Sequence, residues 1–342
     1  MGKALLTTSP CIRRHLSKTA TRYHRQLSTQ ATRPVTLTPS PVELTDLGKF
    51  REHAFKPQKP FLFGRNASSP AASLPAARKW FDSSSTTSAK FSEYMTQFQE
   101  WPFPYELVTP SLPNKEALVA FHAWLSSTEE PADQLLAGIL EPSIVELESR
   151  SFFQLFAPLR LLLKALEFNQ AQPPEQPEPV ELYIAQSSLA DLPQSLQEDL
   201  PTPELVQRAG KGDVYSSSIW LGTEPTYTPL HRDPNPNVFC QLCSSKVIRL
   251  MAPAKGDRLY FEVQARIRQQ GNSRIRNVEM MEGKEREALH EAVWGQDGLP
   301  NGLYEAALGP GDSLFIPNGW WHSVKSKGSS GHLNGSVNWW FR

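Results

Sequence analysis

The chain has 342 residues, with 35 Lys and Arg against 35 Asp and Glu, so its formal net charge is zero. An apolar content of 39% with nine Trp supports a full buried core and excludes a disordered chain. Only three cysteines, Cys11, Cys240 and Cys243, exclude a disulfide framework and suit a reducing compartment.

The first 42 residues contain no acid, yet carry Lys3, Arg13, Arg14, Lys18, Arg22, Arg25 and Arg33 among many Ser and Thr. Wound as a helix, Ile12, Leu16, Ala20, Tyr23 and Leu27 share one face, and Arg14, Lys18, Arg22 and Arg25 the opposite one. A basic, acid-free amphipathic segment has the character of a mitochondrial transit peptide, and Arg25-Gln26-Leu27 before Ser28 resembles a matrix-peptidase site. Residues 1–33 are expected to be such a leader and the location the mitochondrial matrix; an ordinary basic tail on a cytoplasmic protein is the alternative. Cutting after Leu27 would remove six basic residues and leave 29 against 35 acidic ones. That balance argues against bulk nucleic-acid binding.

Residues 34–179 read as a short strand plus a helical region. The run 59–64 predicts a buried strand ending at a turn, and the Ala/Ser/Pro-rich 66–78 a loop. Residues 115–124 and 131–167 have helical spacing, with Leu155, Leu159, Leu162, Leu163 and Leu166 on one apolar face. A Pro/Glu/Gln linker at 170–179 marks the join to a strand-rich part, 180–342. There, 219–221, 238–243, 247–251, 314–316 and 337–341 are β-rich runs between Pro, Gly and Ser, which predict a sandwich or barrel. A long polar insertion, 255–308, interrupts them, with a helix near 285–293 and arginines at Arg266, Arg268, Arg274 and Arg276. It is expected to select the substrate, although a solvated face is the plainer reading of the arginines. Cys240 and Cys243 form a CxxC, but zinc would need two more ligands, so core packing is the expectation. No apolar run reaches the roughly 20 residues of a membrane-spanning helix.

The chemistry centres on Leu230-His231-Arg232-Asp233. Residues two apart on a strand point to the same side, so His231 and Asp233 can reach one metal ion. His322 lies 91 residues further on, after a sharp Gly309-Pro310-Gly311-Asp312 turn and the 314–316 strand expected to carry it inward. Two imidazoles and a carboxylate form the facial triad of non-haem iron(II) oxygenases, with three sites left open. Lys246, 15 residues beyond His231, could pair with the far carboxylate of a dicarboxylic co-substrate. Asn237 and Asn338 offer amides for the ligand's other end.

Trp220-Leu221-Gly222, Thr228-Pro229-Leu230-His231-Arg232-Asp233, Asn237, Lys246, the 309–312 turn, the 316–322 run ending in His322, and Val337-Asn338-Trp339-Trp340 occur in the order found in jumonji-C (JmjC) oxygenases of the cupin type. The chain resembles that family, in particular the hydroxylase branch typified by the asparaginyl hydroxylase of hypoxia-inducible factor. The resemblance covers about 180–342, with 59–64 and Lys79-Trp80 as a weaker match to the family's N-terminal entry. It implies a mainly β fold, a double-stranded β-helix (jelly-roll or cupin barrel) with helices packed outside. It also implies Fe(2+), with 2-oxoglutarate and O2 as co-substrates. Carried over by residue, Thr228 and Lys246 would hold the distal carboxylate of 2-oxoglutarate, Tyr183 would add a phenolic hydrogen bond, and Asn237 and Asn338 would sit near the iron-side carboxylate.

Turnover would then hydroxylate a protein side chain or a small metabolite, releasing succinate and CO2; N-methyl demethylation is the same chemistry on a methyl group. A cupin without 2-oxoglutarate chemistry, such as an isomerase, a non-catalytic binding module and a transfer-RNA base hydroxylase are the competing readings. The sequence departs from the family pattern at Ser244-Ser245, at Arg232 inside the metal motif, and in ending at Arg342 without the C-terminal helices that dimerise relatives in that branch, which leaves the oligomeric state open.

Overall fold

Strands form where β-branched and aromatic residues alternate between two buried surfaces. In chain order they are β1 (Val35–Thr36), β2 (Phe61–Phe63), β3 (Phe81–Asp82), β4 (Lys90–Phe91), β5 (Pro102–Val108), β6 (Phe152–Pro158), β7 (Leu182–Ser188), β8 (Val214–Thr223), β9 (Tyr227–Arg232), β10 (Asn237–Cys243), β11 (Lys246–Met251), β12 (Leu303–Leu308), β13 (Ser313–Ile316), β14 (Trp321–Ser326) and β15 (Leu333–Phe341). This computed structural model describes residues 33–39, 47–66, 69–82, 89–172, 178–268, 281–296, 299–328 and 330–342. The expected leader, apart from Arg33, lies outside the described residues, as do Arg274 and Arg276.

An eight-stranded sheet runs β2-β13-β10-β15-β8-β7-β5-β6, and a five-stranded sheet runs β1-β12-β11-β14-β9. Every pairing in them is antiparallel except β1 with β12. With helices outside, this is the expected jelly roll with a helical annex. Strands β10 and β15 are buried along their whole length. On β15, Val337, Trp339 and Phe341 join the core shared with the helices, whereas Asn338 and Trp340 line a cavity between the sheets. The period of two thus sends apolar residues one way and ligand-capable ones the other.

Besides two short helical turns, Pro70–Ser73 and Ala76–Lys79, that fall on the expected loop 66–78, the sequence expectations depart from the structure in three places. The helical stretch 131–167 is a helix, Pro131–Val145, then strand β6, then a second helix, Arg160–Ala171. Leu155 satisfies a 3.6-residue spacing with Leu159, but β5 pairs with β6 from Pro102 to Val108, burying Phe152 and Phe153, and this tertiary pairing overrides the period. Consequently β5 and β6, before residue 179, share one sheet with β7 and β8 beyond it. Second, the 314–316 strand does not carry His322. It is β13 of the eight-stranded sheet, and the chain crosses at 317–320, with Gly319 at φ 71°, to place His322 on β14 of the other sheet. Third, the polar insertion is partly structural: it provides the helices Pro253–Ile267 and Gly283–Trp294 and ends in β12, an inner strand.

The helix Pro253–Ile267 lies directly on the indole of Trp321, which is 1% exposed. A Cβ added at Gly256 would stand 2.1 Å from Trp321 Cδ1, and the Tyr260 ring is 4.9 Å from that indole, centroid to centroid. Ala in place of Gly gains about 1 kcal/mol of helix propensity. Overpacking a buried ring costs about 1–3 kcal/mol and should win. Gly256→Ala is therefore expected to lower the midpoint of thermal unfolding; a raised midpoint would show that the helix lifts off freely.

Candidate active site

His231 on β9 and His322 on β14 are direct register partners, so their rings meet, with centroids 4.2 Å apart. Asp233 follows the end of β9 on the same side. Its Oδ1 is 3.9 Å from His231 Nε2 and its Oδ2 3.5 Å from His322 Nε2. Among the described residues this is the one group of three or more His, Cys, Asp or Glu with donor atoms close enough, within 4.8 Å of one another, to hold a metal.

Each imidazole is oriented from behind. His231 Nδ1 lies 2.8 Å from the Pro229 carbonyl, and His322 Nδ1 3.2 Å from that of Trp320. A carbonyl only accepts, so both Nδ1 atoms carry protons, and in that tautomer of the neutral ring it is the Nε2 lone pair that turns inward. Two lone pairs and a carboxylate facing one another repel unless a cation lies between them. The donors fit one: octahedral ligands at about 2.0–2.2 Å stand roughly 3 Å apart, slightly closer than the separations here. The carboxylate is itself held. Trp220 Nε1 donates to Asn338 Oδ1 (2.8 Å), Asn338 Nδ2 to Asn237 Oδ1 (3.3 Å), and Asn237 Nδ2 to Asp233 Oδ2 (3.1 Å). Asn237 and Asn338 are thus links of a chain that ends on the acid and fixes its orientation.

Thr228 and His231 are three residues apart, which a regular strand would point to opposite sides. A register irregularity between β9 and β14 (His322 opposite His231, but Val324 opposite Thr228) brings both into the cavity. Lys246 is 1% exposed, and its Nζ donates to Tyr183 Oη (3.1 Å) and Ser336 Oγ (2.8 Å). It enters four residues along β11 from Leu250, the partner of His322, or roughly 13 Å at about 3.3 Å per residue. The side chain reaches back, leaving room for a short dicarboxylate.

All eight residues singled out from sequence (Tyr183, Thr228, His231, Asp233, Asn237, Lys246, His322 and Asn338) line one cavity of about 370 Å³, counting its open mouth. Ser336 was not singled out, although its place two residues before Asn338, on the same face of β15, is the signal that finds it. Arg266 and Arg268 are exposed and do not line this cavity. Cys240 and Cys243 are buried free thiols, each pushed up to about 12 by burial, as core cysteines are.

A neighbouring pocket holds Glu181, Glu106, Arg286 and the other side of Tyr183. Burial pushes the Glu181 carboxyl from 4.5 up to about 7, with Arg286 and the amide of Asn114 (3.0 Å) opposing the shift. The unfolded chain would ionise near 4.5 and the folded one near 7, so the folded state binds more protons between those values and stability falls as pH rises through them. Glu181→Gln, which keeps an acceptor for Asn114, should remove that loss. The variant's advantage in melting temperature should grow from pH 4.5 to 7 and then level off; an advantage independent of pH would show that Glu181 does not titrate there.

The fold and site together define a cupin-type barrel. Its family follows from comparison: the model of the cupin-like domain matches residues 49–342, and the chain belongs to that family. It is similar to lysine-specific demethylase JMJ30 of Arabidopsis thaliana, with 28% identity over 164 residues, 48% of this chain and 34% of the relative. Identity with JmjC domain-containing protein F of Dictyostelium discoideum is 32% over 176 residues, 46% of this chain and 35% of the relative. With lysine-specific demethylase 8 of Danio rerio it is 30% over 161 residues, 46% and 36%. The chain spans about a third of the length of these curated relatives. Among the described residues no helix is long and apolar enough to cross a membrane.

Proposed function

We propose that the chain is an Fe(2+)- and 2-oxoglutarate-dependent oxygenase that hydroxylates a protein side chain or a small metabolite. The observation that carries this reading is the meeting, in one cavity, of a two-histidine, one-carboxylate donor set with a buried ammonium, Lys246, flanked by hydroxyls. His231, Asp233 and His322 would hold the iron. When bound, iron would supply the redox chemistry that couples O2 and the decarboxylation of 2-oxoglutarate to succinate and CO2 with oxygen insertion into a substrate C–H bond. Lys246 would pair with the distal carboxylate of 2-oxoglutarate, with Tyr183 and Thr228 donating hydroxyl hydrogen bonds beside it. Asn237, and Asn338 behind it, hold Asp233 still. Trp220, Phe239 and Trp340 wall the cavity and exclude water.

A second reading, N-methyl demethylation, is supported by the names of the Arabidopsis and Danio relatives, lysine-specific demethylases. Hydroxylation of the methyl carbon gives a carbinolamine, which loses formaldehyde. The test is succinate release from 2-oxoglutarate by the iron-loaded chain, with methyl-lysine peptides, their unmethylated counterparts and a cell extract. Formaldehyde with methyl peptides alone selects demethylation. Succinate without formaldehyde selects hydroxylation. No succinate under any condition sinks the oxygenase reading and favours a cupin that works without 2-oxoglutarate.

A further inference from the structure

Arg232 stands between two of the candidate metal ligands and Trp321 immediately before the third, and one oxygen outside the cavity holds both. Asp257, on the helix Pro253–Ile267, accepts at Oδ1 from Arg232 Nη1 (2.7 Å) and from Trp321 Nε1 (3.1 Å). Arg232 and Trp321 are themselves register partners across β9 and β14, with the guanidinium 5.3 Å from the indole centroid. Because side chains alternate, Arg232 and Trp321 face outward where His231, Asp233 and His322 face inward. The carboxylate therefore ties the outer surface of the same two backbone segments whose inner surface presents the donors.

The attachment continues on both sides of this bond. The backbone at Gly256 lies so close on the Trp321 ring that a Cβ there would overlap it, so helix and indole are in direct contact. On the inner side, the carbonyl that orients His322 belongs to Trp320, across the peptide bond from Trp321. The anchored indole and the carbonyl that orients the His322 ring thus sit on adjoining residues.

We propose that Asp257 is a positioning residue for the metal centre: by clamping Arg232 and Trp321 it holds β9 and β14 in the register that converges His231, Asp233 and His322, and so links the 255–308 insertion to metal affinity. The proposal rests on the metal-binding reading above. A merely structural role would make Asp257 an anchor for the helix, with loss of thermal stability and no change in the donors.

The probe is Mn(II), titrated anaerobically into the full chain and followed by the electron paramagnetic resonance of the free ion, with apo-protein melting measured alongside. Wild type should bind. Asp257→Ala is expected to bind about tenfold more weakly or worse, the scale of losing an outer-shell partner, at temperatures well below its melting point. Trp321→Phe, which removes only the N–H donor, should shift affinity the same way and decides the matter if Asp257→Ala does not fold. Glu262→Ala, on the same helix but paired with the exposed Arg258, should bind like wild type. Wild-type affinity in both Asp257→Ala and Trp321→Phe, whatever their melting points, would overturn the clamp. Failure of the wild-type chain itself to bind Mn(II) would instead bring down the metal-binding reading, and the clamp with it.

Discussion

Iron(II) binding is expected to collapse when any one of His231, Asp233 and His322 is replaced by Ala, while the fold survives. Each variant removes a third of the protein's donor set, so the loss should exceed the roughly 10–100-fold that follows from losing an outer-shell partner alone. The barrel should persist because His231 and Asp233 are partly exposed and the apolar inter-sheet core around Phe239, Ile248, Leu250 and Leu314 is left intact; His322, 3% exposed, should show the largest drop in melting temperature of the three. Asp233→Ala also takes from the buried Asn237 amide the acceptor it donates to, so its apo form should melt somewhat below wild type while staying folded. Anaerobic iron titration with circular dichroism reads both quantities. Retention of full affinity by all three variants would move the metal elsewhere.

The second large effect is expected at Lys246. Lys246→Met removes a buried ammonium that donates to Tyr183 and Ser336 and interacts electrostatically with Glu224. Methionine keeps the volume but leaves Tyr183 and Ser336 without their donor, so the apo protein should stay folded and melt somewhat below the wild-type temperature. Losing the ammonium's pairing with a dicarboxylate should cost about 2–5 kcal/mol, or roughly 30-fold to several thousand-fold in the 2-oxoglutarate concentration that half-saturates turnover. Iron affinity should be nearly unchanged, since the lysine enters four residues along β11 from the partner of His322. An unchanged half-saturating concentration would place the co-substrate elsewhere and favour the cupin without 2-oxoglutarate chemistry.

What could be read from the sequence was what short-range periodicity carries. His231 and Asp233 announce themselves because two-residue spacing on a strand is a local rule. Asn338 is flanked by Val337 and Trp339, and the alternation of apolar and amide residues marks the inward face without reference to any partner strand. Residues 152–158 were misread because Leu155 and Leu159 satisfy a helical spacing, and only the pairing with β5, some 50 residues earlier, decides against it. The strand that carries His322 was missed because β14 follows β13 after four residues, and nothing local reveals that the chain has changed sheets. Thr228 entered the cavity through a bulge that composition does not encode. Asp257 gave no sequence signal at all, since its partners are 25 and 64 residues away.

The burial of β10 and β15 on both faces constrains how this chain can diverge. Neighbouring residues there answer to different selective demands: Val238, Val337 and Trp339 to the helical layer, Asn237, Asn338 and Trp340 to the cavity. Point substitutions can drift within each set. A single inserted or deleted codon cannot be tolerated, because it exchanges the sets and turns amides into the core and apolar groups onto the ligands. Length variation among descendants of this sequence should therefore gather outside β10 and β15, leaving these two strands fixed in length while residues within each set vary.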